Sequence, residues 1–261
     1  MRHVTKPFLF VYSGLMLLFV LMPMICIGII SVAPTRFLNF PFPRPATFRW
    51  YEEMVQSLAI REALANSLMI AAIVTVVSVF LATCGALAFV RYSYKGRKLF
   101  QRLILLPVFF PQAVLGLILL VWFSNLGVPS GWFAVVLGQI VWIAPVVTLI
   151  IAIQVFGYDA SLETAARDLG AKPGYVFRRI TLPLLAPGIF SGGLFAFLLS
   201  WVNFPISYFT SGVDTTVPVW LHTKSVLAPT PSANALGFAI FLVSFFLLIP
   251  PFLLMNRKGK N

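Results

Sequence analysis

Between Arg102 and Asp159 not one residue carries a charge. A stretch of that length has no polar face to offer water, so it dictates the environment the chain must fold in. Further uncharged runs lie at 8–30, 63–90, 184–206 and 236–255. A bilayer-spanning helix needs about 20 mostly apolar residues, and each run supplies one. The chain is 60% hydrophobic and 10% charged, whereas a soluble domain carries about 25% charged residues. Much of its surface must therefore face lipid, where only closed hydrogen-bonded elements survive.

The 103–158 run is too long for one helix, and Ser124-Asn125-Leu126-Gly127-Val128-Pro129-Ser130-Gly131 divides it with a cluster of turn formers. Six spans follow, at about 8–30, 65–90, 103–123, 132–156, 184–206 and 236–255, in one transmembrane domain covering 1–261. The first run trails Arg2, His3 and Lys6, as in a secretory leader. It exceeds the usual apolar length of a leader and ends in no small-x-small cleavage pattern, so it is expected to stay as an anchor. Prolines recur in or beside the spans at Pro23, Pro107, Pro111, Pro145, Pro187, Pro205 and Pro250. Each removes a helical donor and should kink or end a helix, which neighbouring helices of a bundle can accommodate.

The 19 basic residues fall in alternate connecting segments, fourteen on one set and five (Arg36, Arg44, Arg49, Arg61 and Lys224) on the other. The positive-inside rule then puts both termini and the segments holding Lys95 and Lys172 in the cytoplasm. This distribution accounts for the net charge of +12 without a nucleic-acid partner, for which no basic motif or stacking platform exists. Cys26 and Cys84 sit in apolar runs and read as free core thiols. His3 and His222 are the only histidines and neither is near a cysteine, so neither a disulfide framework nor a metal site is expected.

The segment 157–183 between the fourth and fifth spans carries the most information. Leu162, Ala165, Ala166 and Leu169 recur at helical spacing, and Glu163 and Arg167 form an i,i+4 pair in the favourable order. Gly170 is placed to cap this helix. Lys172-Pro173-Gly174 then turns the chain, and a second short amphipathic helix is expected from Tyr175 to Ile180.

This loop resembles the EAA loop of binding-protein-dependent ABC importer permeases: Glu-Ala-Ala, a Gly four residues after the last Ala, then Ile-x-Leu-Pro. Ala165, Ala166, Gly170, Ile180, Leu182 and Pro183 match at every spacing. Thr164 stands where the family has Glu, with Glu163 one residue earlier. Phe48-Arg49-Trp50-Tyr51, Asn66-Ser67-Leu68, Ser207-Tyr208-Phe209 and Asn234-Ala235-Leu236 are most similar to the spermidine/putrescine-type branch. The resemblance implies an all-α integral membrane fold, with six transmembrane helices in a type I ABC importer permease bundle. It implies that Glu163, Thr164, Ala165, Ala166, Arg167, Asp168, Leu169 and Gly170 dock on a cytoplasmic ATPase, with Ile180, Leu182 and Pro183 leading into the next span. The partners it implies are a second permease subunit, two ATPase subunits and an extracytoplasmic solute-binding protein, all around a chain set in membrane lipid.

The chain has no G-x-x-x-x-G-K-[ST] phosphate loop. It is therefore expected to hold no cofactor and to be no enzyme, with ATP-Mg bound on the partner ATPases. An ion-coupled secondary transporter is the main alternative, but such proteins place Asp, Glu or His inside spans, and the six spans contain none. A scaffold without a solute path would need neither the loop nor the prolines. For the solute, Ser200, Asn203 and Ser207 would share one face of a continuous fifth helix, with Pro205 freeing the Trp201 carbonyl. These groups either line the path or hydrogen-bond across helices at about 0.6 kcal/mol each. Val202 and Asn203 stand where carboxylates are expected in the polyamine-type branch, so a polyamine-like solute and related amino compounds both stay open.

Overall fold

The computed structural model describes residues 2–34, 46–227 and 230–258, with side chains for 9–34, 46–226 and 230–246. Within them the regular elements are helices: α1 (Arg2–Ser31), α2 (Arg49–Gln56), α3 (Leu58–Val90), α4 (Arg97–Leu103), α5 (Leu106–Phe109), α6 (Gln112–Asn125) and α7 (Trp132–Gly157). There follow α8 (Ser161–Asp168), α9 (Pro173–Val176), a π-helical turn (Phe177–Thr181), α10 (Leu182–Trp201), α11 (Pro205–Thr210), α12 (Val217–Leu227) and α13 (Pro231–Lys258). Arg36, Arg44 and Lys260, and positions 228–229 between the fifth and sixth expected spans, lie outside the described residues.

The chain divides into two compact units, 62–219 and the flanking 1–61 with 220–261. In the flanking unit α1 and α2 both pack on α13. Close approach is possible because Gly28 lies under the ring of Phe238, whose Cε2 would be 2.8 Å from any added Cβ. The Trp50 indole donates to the Ala33 carbonyl at 2.7 Å and the Tyr51 hydroxyl meets Ser31 Oγ at 2.7 Å, fixing α2 at the end of α1.

In the unit 62–219, α7 is apolar all round and is buried accordingly. Ile143, Val147 and Ile151 on α7 are fully enclosed with Ile70 and Val74 of α3 and Leu185 and Ala196 of α10. Gly188 and Gly192 let α10 lie against α7: an added Cβ would meet Gln154 Cβ at 2.6 Å and Val147 Cγ1 at 3.0 Å, respectively. On the other side α6 packs on α11, where Gly116 would bring a Cβ within 3.0 Å of the Pro205 carbonyl oxygen.

Among the described residues four helices are long and apolar enough to cross a bilayer: Leu9–Ser31, Leu58–Val90, Trp132–Gly157 and Pro173–Trp201. The sixth expected span falls in α13, a 28-residue helix. The third, expected as one helix over 103–123, is instead a pair, Arg97–Phe109 and Gln112–Asn125, bent by 103°. Two prolines cause this. Pro107 and Pro111 each remove a donor, and Phe110, preceding Pro111, is held extended at φ −78°, ψ 137°.

The fifth span also differs. Its helical run starts at Pro173, not 184, and ends at Trp201, so no continuous helix joins Ser200 to Ser207. Pro205 opens α11 in the first turn, where its missing N–H is not needed. The separate amphipathic helix expected at 175–180 is likewise absent as such, because the π-helical turn fuses it to α10. Cys26 and Cys84 are free thiols, but both are exposed on this chain and not core residues. They occupy outward faces of helices whose surroundings are apolar.

Candidate functional site

The loop between α7 and α10 is built from its caps inward. Asp159 Oδ1 accepts from the Ser161 N–H at 2.8 Å and its Oδ2 from the Ser161 hydroxyl at 2.7 Å, starting α8 and holding the Asp159 carboxyl below its ordinary range. At the other end Gly170 has φ +85°, the left-handed conformation that the sequence position predicts. The Gly170 N–H donates to Arg167 O at 2.8 Å and the Ala171 N–H to Ala166 O at 3.0 Å. This double closure is a Schellman motif. Lys172 is extended and Pro173 begins the next helix, as the turn chemistry requires. In the π-helical turn the Leu182 N–H reaches back to Phe177 O. Pro183 then falls in the first turn of α10.

This geometry sorts the expected coupling residues into two groups. Thr164, Ala165, Arg167, Asp168 and Gly170 are exposed, as are Leu162 and, at 89%, Leu169. Leu162 and Ala165 of α8 and Leu169 just after it therefore stand outward, while Ala166 is half-buried. Glu163 faces the other way and is the only buried residue of α8. Its Oε1 accepts from the Tyr158 hydroxyl at 2.6 Å and Thr181 Oγ1 at 2.8 Å, and its Oε2 accepts from Arg91 Nη2 at 2.7 Å. Arg167, expected as its partner, lies at 3.7 Å and is mostly exposed, so the i,i+4 pair is the lesser contact. Ile180 is half-buried and Thr181 buried, while Leu182 and Pro183 are exposed.

Burial pushes the Glu163 carboxyl up, but the hydrogen bonds from Tyr158, Thr181 and Arg91 outweigh it and hold the group below its ordinary value. The Tyr158 hydroxyl is pushed up to about 12 by burial and by its bond to this carboxylate. The Arg91 guanidinium, opposed by burial, is raised by its own hydrogen bond to Glu163. It also lies over the Tyr158 ring at 5.4 Å. Arg97 Nη2 and Gln101 Nε2 donate to the Val90 and Phe89 carbonyls at 3.0 and 2.8 Å, closing the end of α3 beside this cluster.

A second polar cluster surrounds the break between α10 and α11. Ser200, Asn203 and Ser207 are all buried, and the break brings them together although no single helix does. Gln139 of α7 bridges two of them: the Ser200 hydroxyl donates to Gln139 Oε1, and Gln139 Nε2 donates to Ser207 Oγ at 2.9 Å. Asn203 Oδ1 accepts the N–H groups of Ile206 and Ser207 at 3.2 and 3.4 Å, starting α11. Its Nδ2 donates to Gln112 Oε1 at 3.4 Å, and Gln112 is half-buried. Gln139 and Gln112 were missed in the sequence, although a lone amide inside an uncharged run was a usable signal. Arg91, Tyr158 and Thr181 gave none, since 72 residues separate Arg91 from Glu163. Among the described residues no group of His, Cys, Asp and Glu has metal-binding geometry.

Long apolar helices, one pair of them bent where two prolines interrupt it, are the build of a multi-pass membrane protein. Residues 75–257 match the family described as the inner membrane component of binding-protein-dependent transport systems, and the chain belongs to that family. It is 36% identical over 197 residues to the putrescine transport system permease protein PotI of Escherichia coli K12, covering 72% of this chain and 70% of that one. It is 28% identical over 216 residues to the spermidine/putrescine permease PotC of Haemophilus influenzae, covering 82% and 84%. Among solved structures, a bacterial ABC transporter that imports alginate superposes with a TM-score of 0.74 at 19% identity, over 97% of this chain and 96% of that one. The MetNI methionine transporter gives 0.58 at 15% identity, over 77% and 99%. The chain is thus a permease subunit of an ABC importer in the inner membrane. It is a translocation component and not an enzyme.

Proposed function

We propose that this chain forms half of a transmembrane path for a polyamine-like solute or a related amino compound, with both termini cytoplasmic. It pairs with a second permease subunit, receives solute from an extracytoplasmic binding protein and takes its drive from two ATPase subunits that bind ATP-Mg. The observation that carries this reading is the outward face of α8. Leu162, Ala165 and Leu169 are exposed, on a helix whose only buried side chain is Glu163. Small and apolar groups held out on a capped helix suit a groove on a partner. An isolated amphipathic helix resting on headgroups would not need the Schellman closure at Gly170.

The solute runs beside the break at 202–204. The Gln139–Ser200–Ser207 bonds serve as packing between α7, α10 and α11, and the half-buried Gln112 with Asn203 is the edge that meets solute. Helices α6, α7, α10 and α11 contain no Asp or Glu, so a polyamine would cross this part without a carboxylate counter-charge. The relatives' names favour polyamines, and the uncharged lining favours a solute of lower charge. Ala165→Asp and Leu169→Asp test the docking face, each placing a charge in an apolar contact. ATPase co-purification with tagged permease should fall roughly tenfold, about 1.4 kcal/mol, at unchanged membrane abundance. Wild-type recovery of ATPase with both variants refutes the docking face. Uptake driven by an ion gradient without any ATPase refutes the importer coupling itself. Thermal-shift screening of the binding protein against putrescine, spermidine and amino acids names the solute.

A further inference from the structure

We propose that Glu163 is the positioning residue of a mechanical joint, fastening α8 to the ends of α3, α7 and α10 so that a push on α8 moves all three helices together. This deepens the coupling role proposed above and rests on it.

The joint is built from four elements. Glu163 comes from α8, Arg91 follows the last turn of α3, Tyr158 ends α7, and Thr181 closes the π-helical turn that leads into α10. All three partners donate to one carboxylate at 2.6 to 2.8 Å. Two facts separate a joint from an ordinary buried ion pair. Glu163 is the only fully buried side chain of α8, and it is the one whose polar atoms reach α3, α7 and the turn before α10. Its partners are also anchored in turn: the Arg91 N–H donates to Leu87 O at 2.8 Å, and its guanidinium stacks on the Tyr158 ring. A force on the outward face of α8 therefore reaches α3, α7 and the start of α10 through this carboxylate.

The chemistry fits that task. A carboxylate with three donors in a nearly dry site is bound by charge-assisted bonds of fixed geometry. Losing Arg91 leaves the buried Glu163 carboxylate uncompensated, and losing Glu163 leaves the half-buried Arg91 guanidinium without its partner, whereas replacing both members of the ion pair with neutral groups is tolerated better. A purely structural role and a positioning role therefore diverge in the double variant.

The test uses the chain with its ATPase in nanodiscs. Cys26→Ser and Cys84→Ser supply the background, and nitroxide labels go on Lys95→Cys and Lys172→Cys, both exposed. The inter-label distance distribution is read by pulsed EPR without nucleotide and after trapping with ATP and vanadate. In the labelled parent the distribution should stay narrow in both states. Glu163→Gln should broaden it roughly twofold, as for a segment released from its tether, and should lower Tm. Glu163→Gln with Arg91→Gln should recover Tm but keep the broad distribution, while Glu163→Asp should restore part of the narrow one. If the double variant recovers both Tm and the narrow distribution, or no variant broadens it while ATPase still co-purifies, the joint is refuted and the cluster is structural. If the parent chain recovers no ATPase, the coupling reading fails and the joint's role falls with it.

Discussion

At the scale of single residues, Gly170 and Glu163 make opposite kinds of contribution. A Cβ added at Gly170 would find no atom within 4 Å, yet φ is +85°. Its value is conformational, so Gly170→Ala should destabilise the loop by about 1–2 kcal/mol through the left-handed backbone alone. Gly170→Asn should cost less, because Asn tolerates that conformation. Hydrogen exchange at the α8–α9 junction checks the order, and equal protection in all three proteins would refute the backbone account. Glu163 instead acts through its charge. Its carboxyl titrates lower in the folded protein than in the unfolded chain, so its contribution is fully present above the unfolded value of about 4.3. That contribution is lost as pH falls through the lower folded value. Tm in detergent should therefore drop more steeply below about pH 4.3 for the parent than for Glu163→Gln. Parallel curves would show that the carboxylate is not held in this state.

At the scale of elements, glycines set how closely helices approach. Gly188 faces Gln154 Cβ at 2.6 Å across the α7–α10 contact, and Gln154 Nε2 donates to the Leu184 carbonyl at 3.0 Å beside it. Gly188→Leu cannot fit without separating the helices or breaking that bond. It should cost about 1–3 kcal/mol, read as a lower Tm, while Gly237→Leu on α13, with open space around it, should change Tm little. Long apolar helices were legible in the sequence, because an uncharged run in lipid must satisfy its own backbone hydrogen bonds. The Gly170 cap and the 124–131 turn were legible for the same reason, since each has a local cause. The bend at Phe110 was not. Its prolines were visible, but whether two prolines kink a span or split it depends on what receives the freed groups. The partners of Glu163 were invisible too, being brought together only by the packing of α3, α7 and α10. Ser200, Asn203 and Ser207 were correctly grouped for an incorrect reason: Gln139 and the cap at Asn203 gather them, not one helical face.

At the scale of the whole molecule, orientation decides which cluster can meet which partner. In the unit 62–219 the two ends differ in chemistry. One gathers Arg91, Lys95, Arg97, Lys98 and Arg102 with Arg167, Lys172, Arg178 and Arg179, around the Glu163 cluster. The other is marked by Asp214, whose Oδ2 accepts the Trp132 N–H at 2.9 Å and so starts α7. A carboxylate there also meets the positive end of the α7 dipole. Moving lysines and arginines through the bilayer is costly, so the proposed orientation keeps the basic end in the cytoplasm. In that orientation α8 lies on the side where a cytoplasmic ATPase can reach it. Single cysteines at Ser130, Lys95 and Lys172, in a chain free of Cys26 and Cys84, report this with an impermeant maleimide. Ser130, in the turn before α7, should label in intact cells, and Lys95 and Lys172 only after permeabilisation. The reverse pattern would place α8 outside and abolish any contact with a cytoplasmic ATPase, however well the loop is built. Labelling of Ser130 and Lys95 from the same side would instead mean that the bent pair α4–α6 turns back without crossing. The 103° bend would then mark a re-entrant segment and not a broken span.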